Sequence, residues 1–507
     1  MKRKPLWLAL IIFSILVTIP YLIAYFNAGD QYVFGGFLIN PQDGNSYLAK
    51  MQEGWRGDWK FTLPFSTEKS EGAFLFLFYI FLGHIARLTG ISLVLVFHLT
   101  RIVCFLILVI VLNDFTGWLF KDHPKNGRQA FLLCLFGSGM GWLFLLLGLV
   151  TSDLWVLETY PFLSGFASPH FSLGIAILLW MFVDLAGPVS LIRLMRLAVL
   201  GLILAIVMPF GVVVAGGIGF LWSLSEWISV RKLELRPIIA GFILGGPFIL
   251  YQFLATQHDP LLSIWNNQNI TPSPPIWDLA VALLPSLFFA ILGIYKIIKT
   301  ANWNTSTRLL VIWFVIGAVM IYFPFSLQRR FMFSYFVPAA CLGIIGLQSL
   351  FTIPGKFYKN LFPTVFSFSV ISNVFVILLA LFGIMQKSPL FYLTKDEVSA
   401  FTYLQTTGSS EAVVLCSPET GNFIPGWTGD RVIYGHEFET VNAGYNKSQV
   451  TGIYSGRISI SDSIDFMRLQ QVKYIFWGPR ERALGPAEFL SSLKPVYQNG
   501  SVEIYSW

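Results

Sequence analysis

Long apolar runs occupy most of this chain and leave little polar sequence between them. Of its 507 residues, 55% are hydrophobic and only 12% are charged, well below the roughly 25% charged residues of a soluble domain. An apolar run of about 20 residues crosses a bilayer as a helix. The sequence therefore predicts an α-helical polytopic membrane protein with about eleven transmembrane helices, in the runs 6–26, 91–112, 128–150, 171–187, 194–209, 211–229, 237–255, 277–298, 308–323, 333–350 and 361–385.

Basic residues between the runs indicate which side of the membrane each loop faces, because cytoplasmic loops are enriched in Lys and Arg. The stretch 73–88 contains His84 and Arg87, and we interpret it as an amphipathic helix along the outer interface. The loops 151–170 and 256–276, which have no Lys or Arg, then lie outside, and the amino terminus lies inside. The basic residues that fall inside are Lys121, Lys125, Arg128, Arg193, Arg196, Arg231, Lys232, Arg236, Lys296, Lys299, Arg308, Lys356 and Lys359.

The carboxyl-terminal tail has ordinary composition and mixed helix and strand patterns. We predict a transmembrane domain over 1–388, with a first external loop at 27–90, and an extracytoplasmic α/β domain over 389–507. The Gly-rich, aromatic segment 420–440 links two predicted strands. It is either a loop whose glycines serve turns or a cap over a membrane cleft. The predicted elements are helices in DEVSAFTYLQ and SIDFMRLQ, strands in AVVLCS, RVIYGH and VKYIFWG, and a hairpin in VYQNGSVEIYSW.

The polar segment 40–59 directly follows the first span and combines acids with aromatic rings. It contains Asp43, Tyr47, Asp58 and Trp59. Aromatic faces beside a carboxylate suit a sugar ring, because the C–H faces of the sugar stack on the rings while the acid accepts a hydroxyl proton. The alternative is a solvated loop whose Trp residues belong to the interfacial aromatic belt. The segment alone leaves both interpretations open.

Further polar residues fall on the same predicted outer side. Arg329 and Arg330 are adjacent between two spans, where their forked donors suit a phosphate, although contact with lipid headgroups is the alternative. Glu158 and His170 lie in a loop without compensating Lys or Arg, where His170 is either a functional or a structural histidine. We expect one external cleft to gather these residues.

Two classes of partner receive little support from the sequence. The formal charge is +7, but the Lys and Arg residues lie mostly in short gaps between apolar runs, so we predict no nucleic-acid binding. No His and carboxylate residues have the spacing of a metal motif. A divalent cation is therefore predicted only as optional, on the clustering of Asp43, Asp58, Glu158 and His170.

The overall layout resembles membrane glycosyltransferases of the C-type fold, in particular bacterial relatives of the protein mannosyltransferase and aminoarabinose transferase group. The resemblance rests on an acid in the first loop (Asp43), an external basic pair (Arg329 and Arg330), the turn 168–170 and an outer α/β tail. The chain departs from the pattern in two respects. Many members of the group have adjacent acids in the first loop, whereas here Gln42 precedes Asp43 and Gly44 follows it, and the Pro-Pro-Leu sequence often found before the interfacial helix is absent.

The resemblance implies a hexosyltransferase-type enzyme of the bacterial plasma membrane that uses a sugar linked to a polyprenyl phosphate. It implies that Asp43 is the catalytic base, that Arg329 and Arg330 bind the carrier phosphate, and that no cofactor is required. Other substrate contacts are expected from Tyr47, Asp58, Glu158 and His170. A transporter or lipid-carrier flippase and a non-catalytic envelope scaffold are the alternatives, and the acceptor stays open.

Overall fold

The computed structural model describes residues 3–231, 233–350, 360–407 and 412–507. This part of the chain is mostly helical. Its α-helices are Arg3–Asn27 (α1), Pro41–Arg56 (α2), Leu77–Thr89 (α3), Leu93–Leu119 (α4), Pro124–Phe136 (α5), Gly141–Leu145 (α6), Pro161–Ala167 (α7), Pro169–Leu185 (α8), Leu191–Val207 (α9), Pro209–Val230 (α10), Arg236–Ile243 (α11), Gly245–His258 (α12), Pro260–Gln268 (α13), Ile276–Leu283 (α14), Ser286–Thr300 (α15), Thr305–Ile321 (α16), Phe336–Leu350 (α17), Leu361–Met385 (α18), Lys395–Thr407 (α19), Pro418–Thr428 (α20), Ala443–Tyr454 (α21), Ile460–Leu469 (α22) and Pro479–Arg482 (α23).

Short 3₁₀ helices and strands complete the described structure. The 3₁₀ helices are Ser152–Leu154, Leu157–Thr159, Gln328–Met332 and Glu488–Ser492. The strands are Tyr32–Phe34 (β1), Tyr392–Thr394 (β2), Val413–Leu415 (β3), Arg431–Val432 (β4), Val472–Trp477 (β5), Pro495–Asn499 (β6) and Val502–Ser506 (β7).

Several described helices are long and apolar enough to cross a membrane. Five single helices meet this criterion, and the number rises to seven if each of two bent helix pairs counts as one span. The bent pairs are α11 with α12, at 45°, and α14 with α15, at 85°. Four further apolar helices have 10–17 residues. The predicted polytopic helical architecture is confirmed, whereas the count of about eleven spans and the orientation stay predictions.

Helix α3 occupies most of the stretch that we interpreted as interfacial. It has 13 residues, about 20 Å at 1.5 Å per residue, which is short of the roughly 30 Å hydrocarbon core. Its length is thus compatible with a helix that does not cross the membrane. Three of the basic residues that support the predicted topology, Lys232, Lys356 and Lys359, lie outside the described residues.

The chain forms two compact units, each made of discontinuous segments. Unit 1 comprises Met1–Pro20, His98–Leu250 and Thr271–Leu381, and unit 2 comprises Tyr21–Phe97, Tyr251–Ile270 and Phe382–Trp507. The boundary near residue 389 that we placed from composition divides the chain differently and stays a prediction.

Unit 2 contains the described sheets. β1 and β2 pair antiparallel, and a five-stranded sheet has the order β4-β3-β5-β7-β6. In this sheet β3 pairs parallel with both β4 and β5, whereas β7 pairs antiparallel with both β5 and β6. Its two faces carry separate apolar clusters: Val414 and Phe476 belong to one, and Leu415 and Ile475 to the other. The predicted tail helices, strands and terminal hairpin are confirmed, although the strand predicted in RVIYGH is only two residues long.

Two segments predicted from sequence differ in the structure. The polar segment 40–59 is not a loop, since α2 occupies most of it and ten of its residues between Gly44 and Gly54 are buried. The segment 420–440 is not simply a loop, because α20 extends to Thr428 and β4 follows. Both helices begin with proline at the first helical position, where its missing N–H costs nothing. They end at Gly57 and Gly429, both of which adopt the left-handed backbone conformation that favours glycine.

Within unit 2, helices α2 and α3 cross at very short distance through two glycines. A Cβ at Gly54 would lie 1.9 Å from the Ile80 carbonyl oxygen, and a Cβ at Gly83 would lie 1.9 Å from that of Met51. No other residue fits either position without separating the helices. This crossing therefore fixes α2, which carries the candidate base Asp43, against α3.

We expect Gly83→Ala to lower the melting temperature of the detergent-solubilised protein, because the added methyl group meets backbone atoms and overpacking costs about 1–3 kcal/mol. The matched control is Gly444→Ala, a helical glycine with nothing within 4 Å of the added Cβ. Thermal unfolding of the two variants measures the difference. Equal melting temperatures would contradict the close crossing.

Candidate active site

Asp43 lies in the first turn of α2, where the helix dipole favours a negative charge. Its Oδ2 accepts a hydrogen bond from Asn40 Nδ2 at 2.5 Å, and its Oδ1 lies 3.1 Å from Nε2 of His436. The Asp43 side chain is 34% exposed, whereas that of His436 is 2% exposed. The carboxylate is thus oriented by a buried partner and stays accessible to solvent.

Lys50, two turns after Asp43 on the same helix, forms a buried ion pair with Glu439, and Ser46, one turn after Asp43, contacts both groups. Lys50 Nζ contacts Glu439 Oε1 at 2.6 Å and Ser46 Oγ at 2.5 Å, and Ser46 Oγ also bonds to Glu439. The ammonium group lies 4.4 Å from the centroid of the Phe76 ring. Burial raises the pKa of Glu439, but the charge of Lys50, the neighbouring His436 ring and the hydrogen bonds from Lys50 and Ser46 lower it below its ordinary value. Glu439 is therefore held ionised.

These contacts fix the loop 435–441 on α2. His436 and Glu439 both belong to this loop, and they reach Asp43 and Lys50 respectively. A further hydrogen bond runs from Asn422 Nδ2 to the Gly435 carbonyl. A Cβ at Gly435 would lie 2.3 Å from the Gly421 carbonyl oxygen, so the glycines in this segment allow close backbone approach.

The other predicted residues of unit 2 have packing partners of their own. The Tyr47 ring stacks on Tyr79, with centroids 4.4 Å apart and an angle of 7° between the rings. Asp58 follows the end of α2 and is exposed, and its carbonyl lies 3.0 Å from Nε2 of His84. Trp59 stacks on the same His84 ring. Packing against neighbouring rings thus explains where these aromatic side chains lie. Their contact with a sugar stays a prediction.

Unit 1 brings the predicted basic pair together with one predicted acid. Arg330 Nη1 lies 3.3 Å from Glu158 Oε1, and the Glu158 side chain is almost fully buried. The guanidinium of Arg329 lies 4.8 Å from the centroid of the Trp155 ring, within cation–π range. Arg329 and Arg330 follow each other in the 3₁₀ helix Gln328–Met332. Their two guanidiniums therefore have different fixed neighbours.

His170 and Arg101 are buried within unit 1. His170 is 8% exposed at the start of α8, and its ring lies 3.9 Å from that of Phe171. Arg101 donates to the carbonyls of Val17 and Gly165 at 2.8 and 2.9 Å. Arg101 therefore stabilises helix contacts, and the function of His170 stays a prediction.

Of the predicted site residues, the structure pairs Glu158 with Arg330 in unit 1, whereas Asp43, Tyr47 and Asp58 belong to unit 2. The expectation that one cleft gathers them all stays a prediction. Sequence reasoning missed His436 and Glu439. Both lie in the segment 420–440, whose glycines and aromatic residues were noted from the sequence. No sequence motif, however, marks either residue as part of a site.

The optional divalent cation would need several ligand side chains close together. Within the described ranges, no three His, Cys, Asp or Glu residues are grouped so that they could hold a metal ion. Asp43 and His436 supply only a pair. We derive no step through a metal.

The similarity of this chain to known proteins lies in its fold. No protein-family model matches it, and no curated protein matches its sequence. Solved structures do match. The apo oligosaccharyltransferase of Archaeoglobus fulgidus covers 93% of this chain and 69% of its own length, with a TM-score of 0.58 and 11% identity.

Two bacterial structures match as well. ArnT from Cupriavidus metallidurans, bound to undecaprenyl phosphate, covers 97% of both chains with a TM-score of 0.53 and 11% identity. The arabinofuranosyltransferase AftD from Mycobacteria covers 97% of this chain and 39% of its own, with a TM-score of 0.50 and 12% identity. The chain therefore has the C-type fold of membrane glycosyltransferases, as the resemblance predicted. At these identities the match establishes the fold.

We expect Lys50→Met to lower the free energy of unfolding by about 3–5 kcal/mol, because it leaves the Glu439 carboxylate buried without its cation. Adding Glu439→Gln to this variant should recover part of the loss, since it removes the unpaired charge. Thermal unfolding in detergent measures both effects. The control is Lys494→Met, at an exposed position in the tail, and a Lys50→Met protein as stable as this control would disprove the role of the ion pair.

Proposed function

We propose that this protein transfers a sugar from a polyprenyl-phosphate-linked donor to an acceptor on the outer face of the bacterial plasma membrane. The observation that carries the proposal is the Asp43 carboxylate, which is accessible but held by buried His436 in a chain with the C-type fold. The described neighbours add support. ArnT was solved with undecaprenyl phosphate, and the archaeal oligosaccharyltransferase AglB with a dolichol-phosphate and an inhibitory peptide.

In the proposed reaction, the acceptor hydroxyl attacks the anomeric carbon of the sugar. The new bond joins the acceptor oxygen to this carbon, while the bond from the carbon to the phosphate oxygen breaks and its electron pair leaves with the carrier phosphate. Asp43 accepts the hydroxyl proton and later releases it to water. The carboxylate must therefore be ionised before each turnover, and the hydrogen bonds from His436 and Asn40 favour that form.

The carrier phosphate gains negative charge as the bond to the sugar breaks. We assign its binding to Arg329 and Arg330, because guanidiniums offer forked donors for phosphate oxygens. Glu158 orients the Arg330 guanidinium through their contact at 3.3 Å. Asp58, Tyr47 and His170 complete the proposed substrate contacts.

Asp43→Asn should reduce sugar transfer by about 10²–10⁴-fold, the usual contribution of a general base. The assay uses membranes from cells that lack the chromosomal gene and express the variant, so that the natural acceptor is present. A panel of undecaprenyl-phosphate-linked hexoses with radiolabelled sugar serves as donor. Asp465→Asn, whose side chain is 72% exposed in the tail, is the control and should transfer normally. Full activity of Asp43→Asn would show that Asp43 is not the base.

A separate prediction concerns the carrier phosphate. Arg329→Ala and Arg330→Ala should each weaken binding of undecaprenyl phosphate to the purified protein in nanodiscs by about tenfold or more, because each removes charge-assisted hydrogen bonds. Scintillation proximity with tritiated undecaprenyl phosphate measures the dissociation constant. Arg468→Ala, at an exposed arginine of the tail, is the control.

Loss of Arg330 also leaves Glu158 without its cation, which could weaken binding by repulsion alone. The double variant Arg330→Ala/Glu158→Gln removes this charge. If the double variant binds undecaprenyl phosphate as tightly as the unmodified protein does, Arg330 only neutralises Glu158 and does not bind the carrier.

A further inference from the structure

We propose that His436 is a positioning residue for Asp43: its Nε2–H holds Oδ1 of the carboxylate, so that Asp43 stays ionised and points towards the acceptor. This inference deepens the proposed function and rests on it. The histidine contacts the carboxylate at 3.1 Å and is itself buried. It has no access to the acceptor of its own, so it acts through Asp43.

The tautomer of His436 follows from its other ring nitrogen. Nδ1 accepts hydrogen bonds from the backbone N–H groups of Phe438 and Glu439, at 3.1 and 3.2 Å. A nitrogen that accepts two such bonds carries no hydrogen, so the hydrogen of the neutral ring is on Nε2. Nε2 therefore donates to Asp43.

The position of the ring is fixed by the surrounding loop. The Thr440 hydroxyl accepts from the N–H groups of Gly435 and His436, and the Thr440 N–H donates to the His436 carbonyl. Trp265 Nε1 donates to the Phe438 carbonyl at 3.0 Å. Together with the Glu439–Lys50 ion pair, these bonds leave the imidazole one orientation. A fixed donor can select one orientation of the carboxylate, which a mobile one could not.

The same network argues against a proton relay through His436. Protonation of Nδ1 would direct a new N–H at the N–H groups of Phe438 and Glu439, and two donors that face each other repel. The charged groups beside the ring are Asp43 and, on its own loop, Glu439, which is already paired with Lys50 from α2. The apolar rings of Phe65 and Phe438 also lie near it, with centroids 5.7 and 6.4 Å from that of the imidazole. His436 therefore holds the proton on Nε2 instead of passing it on.

The test compares two substitutions that differ in hydrogen bonding. His436→Phe fills a similar volume but has no donor, whereas His436→Gln retains an N–H group that can reach Asp43. Both are assayed from about pH 3 to 8, a range that includes the ordinary titration range of an aspartate, in the gene-deleted membranes with the radiolabelled donor panel. We expect His436→Phe to lower the maximal rate roughly tenfold, as for the loss of one hydrogen bond to a charged group.

The pH profile separates positioning from a merely structural role. In His436→Phe the acid limb of the rate profile should move up by about one pH unit, because a carboxylate that has lost a donor is protonated more easily. His436→Gln should have the maximal rate and the position of the acid limb of the unmodified protein. His123→Phe, at a histidine that precedes α5 and is exposed, is the control and should change neither.

The outcomes that overturn the inference are distinct from those that overturn the proposed function. A normal rate and profile in His436→Phe, or equal losses in His436→Phe and His436→Gln with an unchanged acid limb, would show that His436 does not position Asp43. Thermal unfolding of each variant shows whether it is folded, and His436→Gln decides the question if His436→Phe does not fold. If the unmodified protein transfers no sugar above gene-deleted membranes, the proposed function falls and this inference falls with it.

Discussion

The buried ion pair between Lys50 and Glu439 is the interaction on which the candidate site depends. Taking two charges out of water is costly, so such a pair persists only where its geometry and hydrogen bonds compensate for the lost hydration. Here Ser46 contacts both partners and aromatic rings surround the ammonium group. The pair joins α2 to the loop 435–441, two segments that are nearly 400 residues apart in the chain. The position of His436 against Asp43 follows from this connection.

Helix α2 shows how a polar sequence can be buried inside one compact unit. Its polar side chains find partners in unit 2: Asn45 bonds to Asn422 at 2.7 Å, and Glu53 bonds to Thr62 and Arg56. Buried polar groups are tolerated when they are hydrogen-bonded. A rigid helix holds its side chains more precisely than a loop does, which suits a base that must meet a hydroxyl within hydrogen-bond distance.

Local patterns were enough to predict much of the tail and the helical character of the rest. The alternating run in VKYIFWG and the Asn499–Gly500 turn are signals within a few residues, and the structure has β5 and the β6–β7 hairpin there. Helix α2 was missed although Pro41 and Gly57 mark its ends, because its polar composition is typical of an exposed loop. Its burial depends on partners such as Asn422 and Glu439, which no local pattern reveals.

The candidate site was predictable only in part, for the same reason. The carboxylate of Asp43 and the arginine pair stood out by their position beside apolar runs, but His436, the buried partner of Asp43, is 393 residues away. The number of spans was hard to derive because apolar composition does not show where a helix bends. The 85° break between α14 and α15 divides one apolar run into two helices.

The central claim is that Asp43 is the base that activates the acceptor for attack on a lipid-linked sugar. It is tested most directly by a cryo-electron microscopy structure of the protein with a non-hydrolysable undecaprenyl phosphonate sugar bound. The account predicts that the anomeric carbon lies close enough to Asp43 for one hydroxyl to fit between them, with that hydroxyl about 3 Å from the carboxylate. A sugar bound beyond the reach of Asp43 would contradict it.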